Sequence, residues 1–333
     1  MKKILNIIVL AVILIGFTTL NNCIKVDSAV TDIKPPGGVT TSGVLATSSN
    51  GAVLAGYVGD MGGAGFYVRG VCIDTIPDPD IPTVEIFNGE THYLYLEGIK
   101  IFNPGSFIKG LGSLLANTTY FARTFAVNEA GITYGNQIDF TTNPLISDVE
   151  GRTYGTASIG TQVWLTNNLE TNKFNDGEPI PFVESISEWR ILTGPGHYVF
   201  SWSGVDDWWQ ETLYNWHSAN TGKLCPVGWH IPTCDEWKVF ADYVGLRSNE
   251  WGNFKQAYNF CIFKADKTVI MDTINGIKGW NTINDGAGLE PQWWSSTSSG
   301  CDSALYFTLV AEKEMIPEYN KKYGLPVRCI KDN

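Results

Sequence analysis

The sequence predicts a multidomain protein in which an N-terminal all-β sandwich is followed by an α+β domain. Three observations support this prediction. An apolar run at residues 4–17 follows two lysines and marks a targeting segment ahead of the folded parts. All twelve tryptophans lie between Trp164 and Trp294, so the two halves of the chain differ in composition. Apolar strands bounded by glycines fill the first half, whereas the second half contains a strongly capped helix.

The targeting segment comprises residues 1–22 and is left out of the domains. Its apolar run is shorter than the roughly 20 residues of a transmembrane helix. Cys23 follows directly, and a cysteine at this place is typical of lipoprotein processing, in which the thiol is lipidated and becomes the new N-terminus. An uncleaved anchor or an ordinary secretory signal are the alternatives, because Asn22 stands where a small residue is usual. Lipidation predicts a cell-envelope location, as an outer-membrane or cell-surface lipoprotein attached to the membrane.

The charge of the chain argues against two classes of partner. The net charge is −11, and loss of Lys2 and Lys3 with the targeting segment moves it to −13. An acidic surface disfavours nucleic-acid binding and a polybasic membrane contact, because both need clustered basic side chains. Solubility at a cell surface is the simplest explanation of this charge.

Residues 23–37 are predicted to be a polar linker, and residues 38–143 a β-domain. Its strands are apolar or alternating segments at residues 53–58, 65–74, 91–97, 120–126 and 135–142. Leu114-Leu115 followed by Tyr120 predicts a tyrosine corner, in which the tyrosine hydroxyl bonds to the backbone of the preceding turn. The domain resembles a fibronectin type III-like sandwich, and its scattered charges favour a spacer role.

Residues 148–332 form the second predicted domain. Its first element is a hairpin around Gly160, where two short β-segments flank a glycine turn. Asn175-Asp176-Gly177 lies in a segment dense in turn residues, and it lacks the acid spacing of an EF-hand loop. We therefore interpret it as a turn, with no metal.

One helix is predicted from its start signal. Thr233 and Glu236 form a capping box, in which each side chain bonds the backbone N–H of the other residue. Trp237, Phe240 and Ala241 then recur at helical spacing, and Gly245 ends the pattern. This apolar stripe indicates a core-facing helix.

Cysteines outside the targeting segment are compatible with disulfides in an exported chain. Besides Cys23 there are six of them, at positions 72, 225, 234, 261, 301 and 329. Six cysteines allow fifteen complete pairings, so spacing alone leaves the connectivity open.

The second domain resembles the Fibrobacter succinogenes major paralogous (FISUMP) domain of Bacteroidetes and Fibrobacteres surface lipoproteins. The resemblance is carried by residues 148–160, 162–164, 168–169, 175–177, 213–216, 220–237, 293–297 and 327–329. Residues 246–290 depart from the family pattern. The resemblance implies a fold similar to C-type lectins and to formylglycine-generating enzyme. It also implies a disulfide between Cys225 and Cys329, with Cys261–Cys301 as a second candidate and with Cys72 and Cys234 left as free, buried residues.

Exposed aromatic side chains are the predicted ligand-binding surface. Trp202, Trp208 and Trp209 lie in residues 201–210, which we interpret as a polar loop, and flat indole rings stack well on sugars. The alternative is that these tryptophans only cover the domain. Glu290-Pro291-Gln292 resembles the sugar motif of calcium-dependent lectins, but Gln292 replaces the expected asparagine.

No catalytic residue and no cofactor are predicted. Formylglycine-generating chemistry needs two nearby cysteines on copper, and Cys225 is assigned to a disulfide. His217 and His230 have no carboxylate or nucleophile partner that the sequence reveals. The most plausible role is thus binding to a glycan, a matrix component or a surface protein. The competing class is a structural surface component without a small ligand.

Overall fold

The computed structural model describes residues 33–63, 68–81, 93–96, 104–203, 208–243, 292–310, 313–315 and 318–332. The chain divides into two compact units. The first comprises residues 1–41, 56–106 and 121–138, and the second comprises residues 42–55, 107–120 and 139–333. Within the described ranges, no helix is long and apolar enough to cross a membrane.

The described part of the chain is predominantly β-structure arranged in several sheets, which confirms the β-rich class and leaves the α+β lectin type as a prediction. The strands are β1 (Thr40–Ser48), β2 (Gly51–Val58), β3 (Val68–Asp74), β4 (Tyr93–Leu96), β5 (Gly105–Gly112), β6 (Thr119–Asn128), β7 (Gly131–Thr141), β8 (Ile146–Ser147), β9 (Thr153–Tyr154), β10 (Thr156–Ile159), β11 (Gln162–Leu165), β12 (His197–Ser203), β13 (Trp208–Tyr214), β14 (Trp229–His230), β15 (Gln292–Ser298), β16 (Ser303–Val310), β17 (Lys313–Met315), β18 (Glu318–Asn320) and β19 (Ile330–Lys331). The helices are α1 (Ile186–Ile191), α2 (Trp216–Ala219) and α3 (Cys234–Tyr243).

In the first unit, strand β3 is the central element. It pairs with β4 on one side and with β6 on the other, and β7 completes the order β4-β3-β6-β7. Asn128 closes the β6–β7 turn because its side-chain oxygen accepts the backbone N–H groups of Ala130 and Gly131. This hairpin turn is therefore held by a side chain that lies within it.

In the second unit, the largest sheet has seven strands in the order β14-β19-β11-β10-β1-β2-β5. The β10–β11 hairpin turns at Gly160, as predicted. Gly160 has a φ of +60°, and a Cβ atom there would lie 2.7 Å from the Tyr243 ring. Only glycine tolerates both the left-handed backbone and this close approach.

The core of the second unit is an aromatic stack. The Trp237 ring lies 4.3 Å from Phe307, 4.6 Å from Trp164 and 5.7 Å from Trp293, measured between centroids. All four rings are almost fully buried. Burial of each large ring contributes about 1.5–3 kcal/mol of hydrophobic stabilisation. This stack packs helix α3 against the strands that carry Trp164, Trp293 and Phe307.

Several local predictions are confirmed and several elements were not foreseen. The Tyr120 hydroxyl accepts the Leu115 backbone N–H at 3.0 Å, as a tyrosine corner requires. Strands β1 and β5 and helices α1 and α2 were not predicted, because polar and glycine-containing segments of this kind lack a clear apolar period. The sheet that contains β1 and β10 includes strands from before and from after residues 143–148. The domain boundary predicted at these residues remains a prediction.

Candidate functional site

The disulfide between Cys225 and Cys329 is present, as the family resemblance implied. Both cysteines are buried, and their Cα atoms lie 6.0 Å apart although 104 positions separate them in sequence. Cys72 and Cys234 are buried thiols that take no part in this disulfide, also as expected. Cys301 is an exposed free thiol, and Cys261, its candidate partner in the second pair, lies outside the described residues.

Helix α3 begins with the predicted capping box. The Thr233 hydroxyl accepts the Glu236 N–H at 3.2 Å, and a Glu236 carboxylate oxygen accepts the Thr233 N–H at 2.8 Å. The helix start is joined to β15, because Thr297 accepts the Cys234 N–H and Pro232 accepts the Ser296 N–H. These bonds confirm that the segments around Thr233 and Thr297 are structural partners.

His230 lies between two carboxylates, so the expectation that it lacks a carboxylate partner is wrong. Its Nδ1 atom lies 2.6 Å from Asp332 Oδ1, and its Nε2 atom lies 2.9 Å from Glu236 Oε1. Asp332 lies 102 positions after His230, and Glu236 belongs to the capping box. Sequence spacing indicated neither contact. Burial is the largest single influence and lowers the pKa of His230. The hydrogen bonds and charges of Asp332 and Glu236 together outweigh it and raise that pKa above 6.5.

Stability is therefore expected to depend on pH through His230. The raised pKa means that folding favours the imidazolium, so the contribution is complete below the unfolded pKa of 6.5 and is lost as pH rises through the higher folded pKa. The effect should be below about 1 kcal/mol, because the imidazole is more than a third exposed and solvent screens the pair. Urea unfolding at pH 6 and pH 9 should show this loss in the unsubstituted chain and not in His230→Gln. An equal loss in both chains would contradict the assignment.

A buried polar centre ties four segments of the second unit together. The Asn168 side-chain oxygen accepts hydrogen bonds from Trp293 Nε1 at 2.8 Å, Arg328 Nε at 3.1 Å and Arg328 Nη2 at 2.7 Å. The Asn168 amide in turn donates to Glu211 Oε1 at 3.1 Å. Arg328 is 1% exposed and also donates to the backbone carbonyls of Leu165 and Thr166. Three of the segments that carry the family resemblance, those containing Asn168, Trp293 and Arg328, therefore meet in one structural centre.

The predicted ligand-binding tryptophans lie on a hairpin, and the interpretation of residues 201–210 as a loop is wrong for its described ends. Strands β12 and β13 form a two-stranded sheet in which Trp202 pairs with Trp209 and Ser203 pairs with Trp208. Residues 204–207, which join the strands, lie outside the described residues. Alternation of polar and aromatic residues at Ser201, Trp202 and Ser203 was the available signal for the first of these strands.

The base of this hairpin is firmly held. Tyr214 and Leu325 exchange two backbone hydrogen bonds of 3.0 and 3.1 Å. Phe200 and Leu213 are buried together with Val183 and Trp189. The hairpin therefore extends from a rigid base. Its three tryptophan positions lie at the far end, beyond Phe200 and Glu211.

The structure describes some of the remaining candidate residues and not others. Asp176 forms a 2.6 Å ion pair with Lys223 in a hydrogen-bonded turn, as expected for a turn. Among the residues that the structure describes, no group of three or more His, Cys, Asp or Glu side chains is placed to hold a metal ion. Gln292 is buried in β15, whereas Glu290, Pro291 and Cys23 lie outside the described residues.

Comparison with known proteins gives one family and weak structural likenesses. A family model described as the Fibrobacter succinogenes major domain matches residues 157–331, more than half of the 333 residues. The sensor domain of the anti-sigma factor RsgI4 from Pseudobacteroides cellulosolvens is 15% identical over 32% of this chain and 95% of that chain, with a TM-score of 0.24. The third fibronectin III domain of human KIAA0343 protein is 13% identical over 37% of this chain and 94% of that chain, with a TM-score of 0.21. TM-scores this low carry no functional argument. No curated protein matches the chain.

Proposed function

Because the chain belongs to the Fibrobacter succinogenes major domain family, we propose that it is a surface lipoprotein that displays a binding domain. Proteins of this family are surface-associated. In this proposal Cys23 carries the lipid, a fibronectin type III-like sandwich acts as spacer, and a C-type-lectin-like domain binds a glycan, a matrix component or a surface protein. The acidic net charge of −11 supports a soluble, exposed position and argues against nucleic acid as the ligand.

The tether has a direct test. Cys23 follows directly after the targeting segment at residues 1–22, which is the observation behind lipid attachment. We expect the unsubstituted chain to incorporate labelled fatty acid and to sediment with the membrane fraction, and Cys23→Ser to lose both properties. Cys301→Ser is the matched control, because Cys301 is an exposed thiol elsewhere in the chain. Membrane attachment that survives Cys23→Ser without label would point instead to an uncleaved anchor.

The binding role depends on one observation above the others: three tryptophan positions gather at the end of a hairpin whose base is rigid. Trp202 and Trp209 are cross-strand partners, and Trp208 is adjacent. Cross-strand aromatic pairs lie within reach of each other. Aromatic side chains have few rotatable bonds and lose little conformational entropy on binding. A hairpin whose base is already held in place loses little further entropy, so both features lower the entropic cost of recognition.

Glycan recognition by the hairpin is tested with the full chain in detergent on a glycan array, with and without calcium. We expect a defined set of glycans to bind, and Trp202→Ala/Trp209→Ala to weaken their binding at least tenfold, since truncation of a tryptophan that anchors a ligand typically costs about 2 kcal/mol or more. Val227→Ala is a control, because Val227 is an exposed apolar residue outside the hairpin. Absence of any glycan signal, together with stable self-assembly of the chain, would favour the structural alternative.

A catalytic role is not part of the proposal. Formylglycine-generating chemistry would require a pair of copper-binding cysteines, and Cys225 is committed to the disulfide with Cys329. A requirement for calcium in the array experiment would revive the Glu290-Pro291-Gln292 motif as a sugar site.

A further inference from the structure

A cavity of about 430 Å³ with both polar and apolar walls lies within the second unit. Its volume is within the roughly 300–1,000 Å³ of small-molecule sites. The lining residues come from the large sheet and from the connection at residues 141–146, together with Asn117. None of them belongs to the β12–β13 hairpin, so this cavity is separate from the tryptophan surface proposed above and does not depend on it.

The floor of the cavity is a single row of side chains across five neighbouring strands. Thr47 pairs with Ser158, Ser158 pairs with Val163, and Trp229 pairs with Lys331. The antiparallel register that pairs Trp164 with Ile330 places Val163 beside Lys331. All five residues of the row line the cavity. With strands about 4.8 Å apart, the row is about 19 Å long.

The polar end of this row is held in position by a buried amide. The Thr47 hydroxyl donates to Asn143 Oδ1 at 2.6 Å, and Asn143 Nδ2 donates to Ser158 Oγ at 2.9 Å. Asn143 is 8% exposed. In this arrangement the Thr47 oxygen keeps lone pairs, and the Ser158 hydroxyl keeps its proton. The floor therefore offers a fixed acceptor next to a fixed donor, which is the pattern that a sugar hydroxyl group matches.

The other end of the row is apolar and carries one positive charge. Val163 and the edge of Trp229 supply apolar surface of the kind that packs against the C–H face of a sugar ring. Lys331 is exposed and is the one charged residue among those that line the cavity. The carboxylate next to it in sequence, Asp332, is hydrogen-bonded to His230. A ligand carboxylate could therefore meet Lys331 without a competing acid in the cavity wall.

We propose that this cavity binds a short acidic saccharide of the uronic acid class. Its hydroxyl groups would bond to Thr47, Ser158 and the second N–H of Asn143, and its carboxylate would pair with Lys331. Polyanions of high charge are disfavoured by the net charge of −11, whereas one or two carboxylates are matched by the single lysine. The volume of the cavity fits one or two sugar rings.

The test is calorimetric titration of the full chain with digalacturonate and with its methyl ester, which has the same rings without the charge. We expect digalacturonate to bind about fivefold more tightly than the ester, since an exposed ion pair is worth at most about 1 kcal/mol. Lys331→Gln should bind the two ligands equally. Added salt should weaken binding of the acid and leave the ester unchanged.

Two matched controls separate binding from folding. Lys238→Gln removes the same charge from a lysine of helix α3 that does not line the cavity, and its affinities should equal those of the unsubstituted chain. Thr141→Trp fills the cavity from an exposed position and should abolish binding of both ligands. Thr119→Trp, at the neighbouring exposed threonine outside the cavity, should not. Binding unaffected by both Lys331→Gln and Thr141→Trp, equal binding of acid and ester, or no heat with either ligand would each overturn the proposal.

Discussion

Replacing Cys225 and Cys329 together by alanine is expected to lower the free energy of unfolding by about 4–5 kcal/mol, because the bond closes a loop of 104 positions. Alanine is chosen because both sulfurs are buried, and a serine hydroxyl there would add an unsatisfied polar group. The change should be read from urea unfolding curves followed by tryptophan fluorescence. Cys225 precedes helix α3 and Cys329 precedes β19, so the bond joins two distant parts of the unit.

Reductant provides an internal check on this result. Dithiothreitol should destabilise the unsubstituted chain by a similar amount and leave the double alanine variant unchanged. Cys301→Ser is the matched control, since that exposed thiol is free and its loss should change stability by less than about 0.5 kcal/mol. A loss below about 1 kcal/mol in the double variant would mean that removing the disulfide adds little conformational entropy to the unfolded chain. That result would contradict the loop-closure argument.

Asn168→Ala is expected to lower the free energy of unfolding by about 2–4 kcal/mol. The substitution removes one oxygen that accepts three hydrogen bonds, two from Arg328 and one from Trp293. Each buried donor that loses its acceptor costs about 1–3 kcal/mol, and a buried charge costs more than a neutral group. Arg328 keeps its bonds to the carbonyls of Leu165 and Thr166, which limits the loss.

The neighbouring asparagine gives the control for this experiment. Asn167 is exposed, and its oxygen accepts one bond from Thr166, so Asn167→Ala should change stability by less than about 0.5 kcal/mol. Equal effects at the two positions would show that the buried centre contributes no more than an ordinary surface turn. Both variants should keep far-ultraviolet circular dichroism unchanged in the absence of urea.

Features that depend on a few neighbouring residues could be predicted from the sequence. The capping box at Thr233 and the tyrosine corner at Tyr120 each use a side chain and a backbone group close together in the chain. The turn at Gly160 needs only a residue that adopts a positive φ. For these, residue type and spacing are enough. The disulfide was predicted by resemblance to a family, since spacing alone left fifteen pairings open.

Features that depend on distant residues could not be predicted in this way. Asp332 meets His230 from 102 positions away, and Asn168 meets Arg328 from 160 positions away. Strand β1 contains threonine, serine and glycine, and its membership in the large sheet follows from pairing with β10 and not from its own propensity. The cavity above that sheet could not be predicted for the same reason. Its floor is formed by residues that are neighbours across paired strands and that belong to no sequence motif.

The pairing of β1 with β10 determines what can be exchanged between proteins as an intact piece. Ala46, Thr47 and Ser48 pair with Ile159, Ser158 and Ala157, and the family match begins at residue 157, inside β10. A gene fragment that began at the family match would leave one side of β10 with open backbone donors and acceptors, and such an edge recruits strands from other chains. A fragment that keeps β10 paired must therefore include β1, so the piece of chain that holds together is longer than the region that the family model matches.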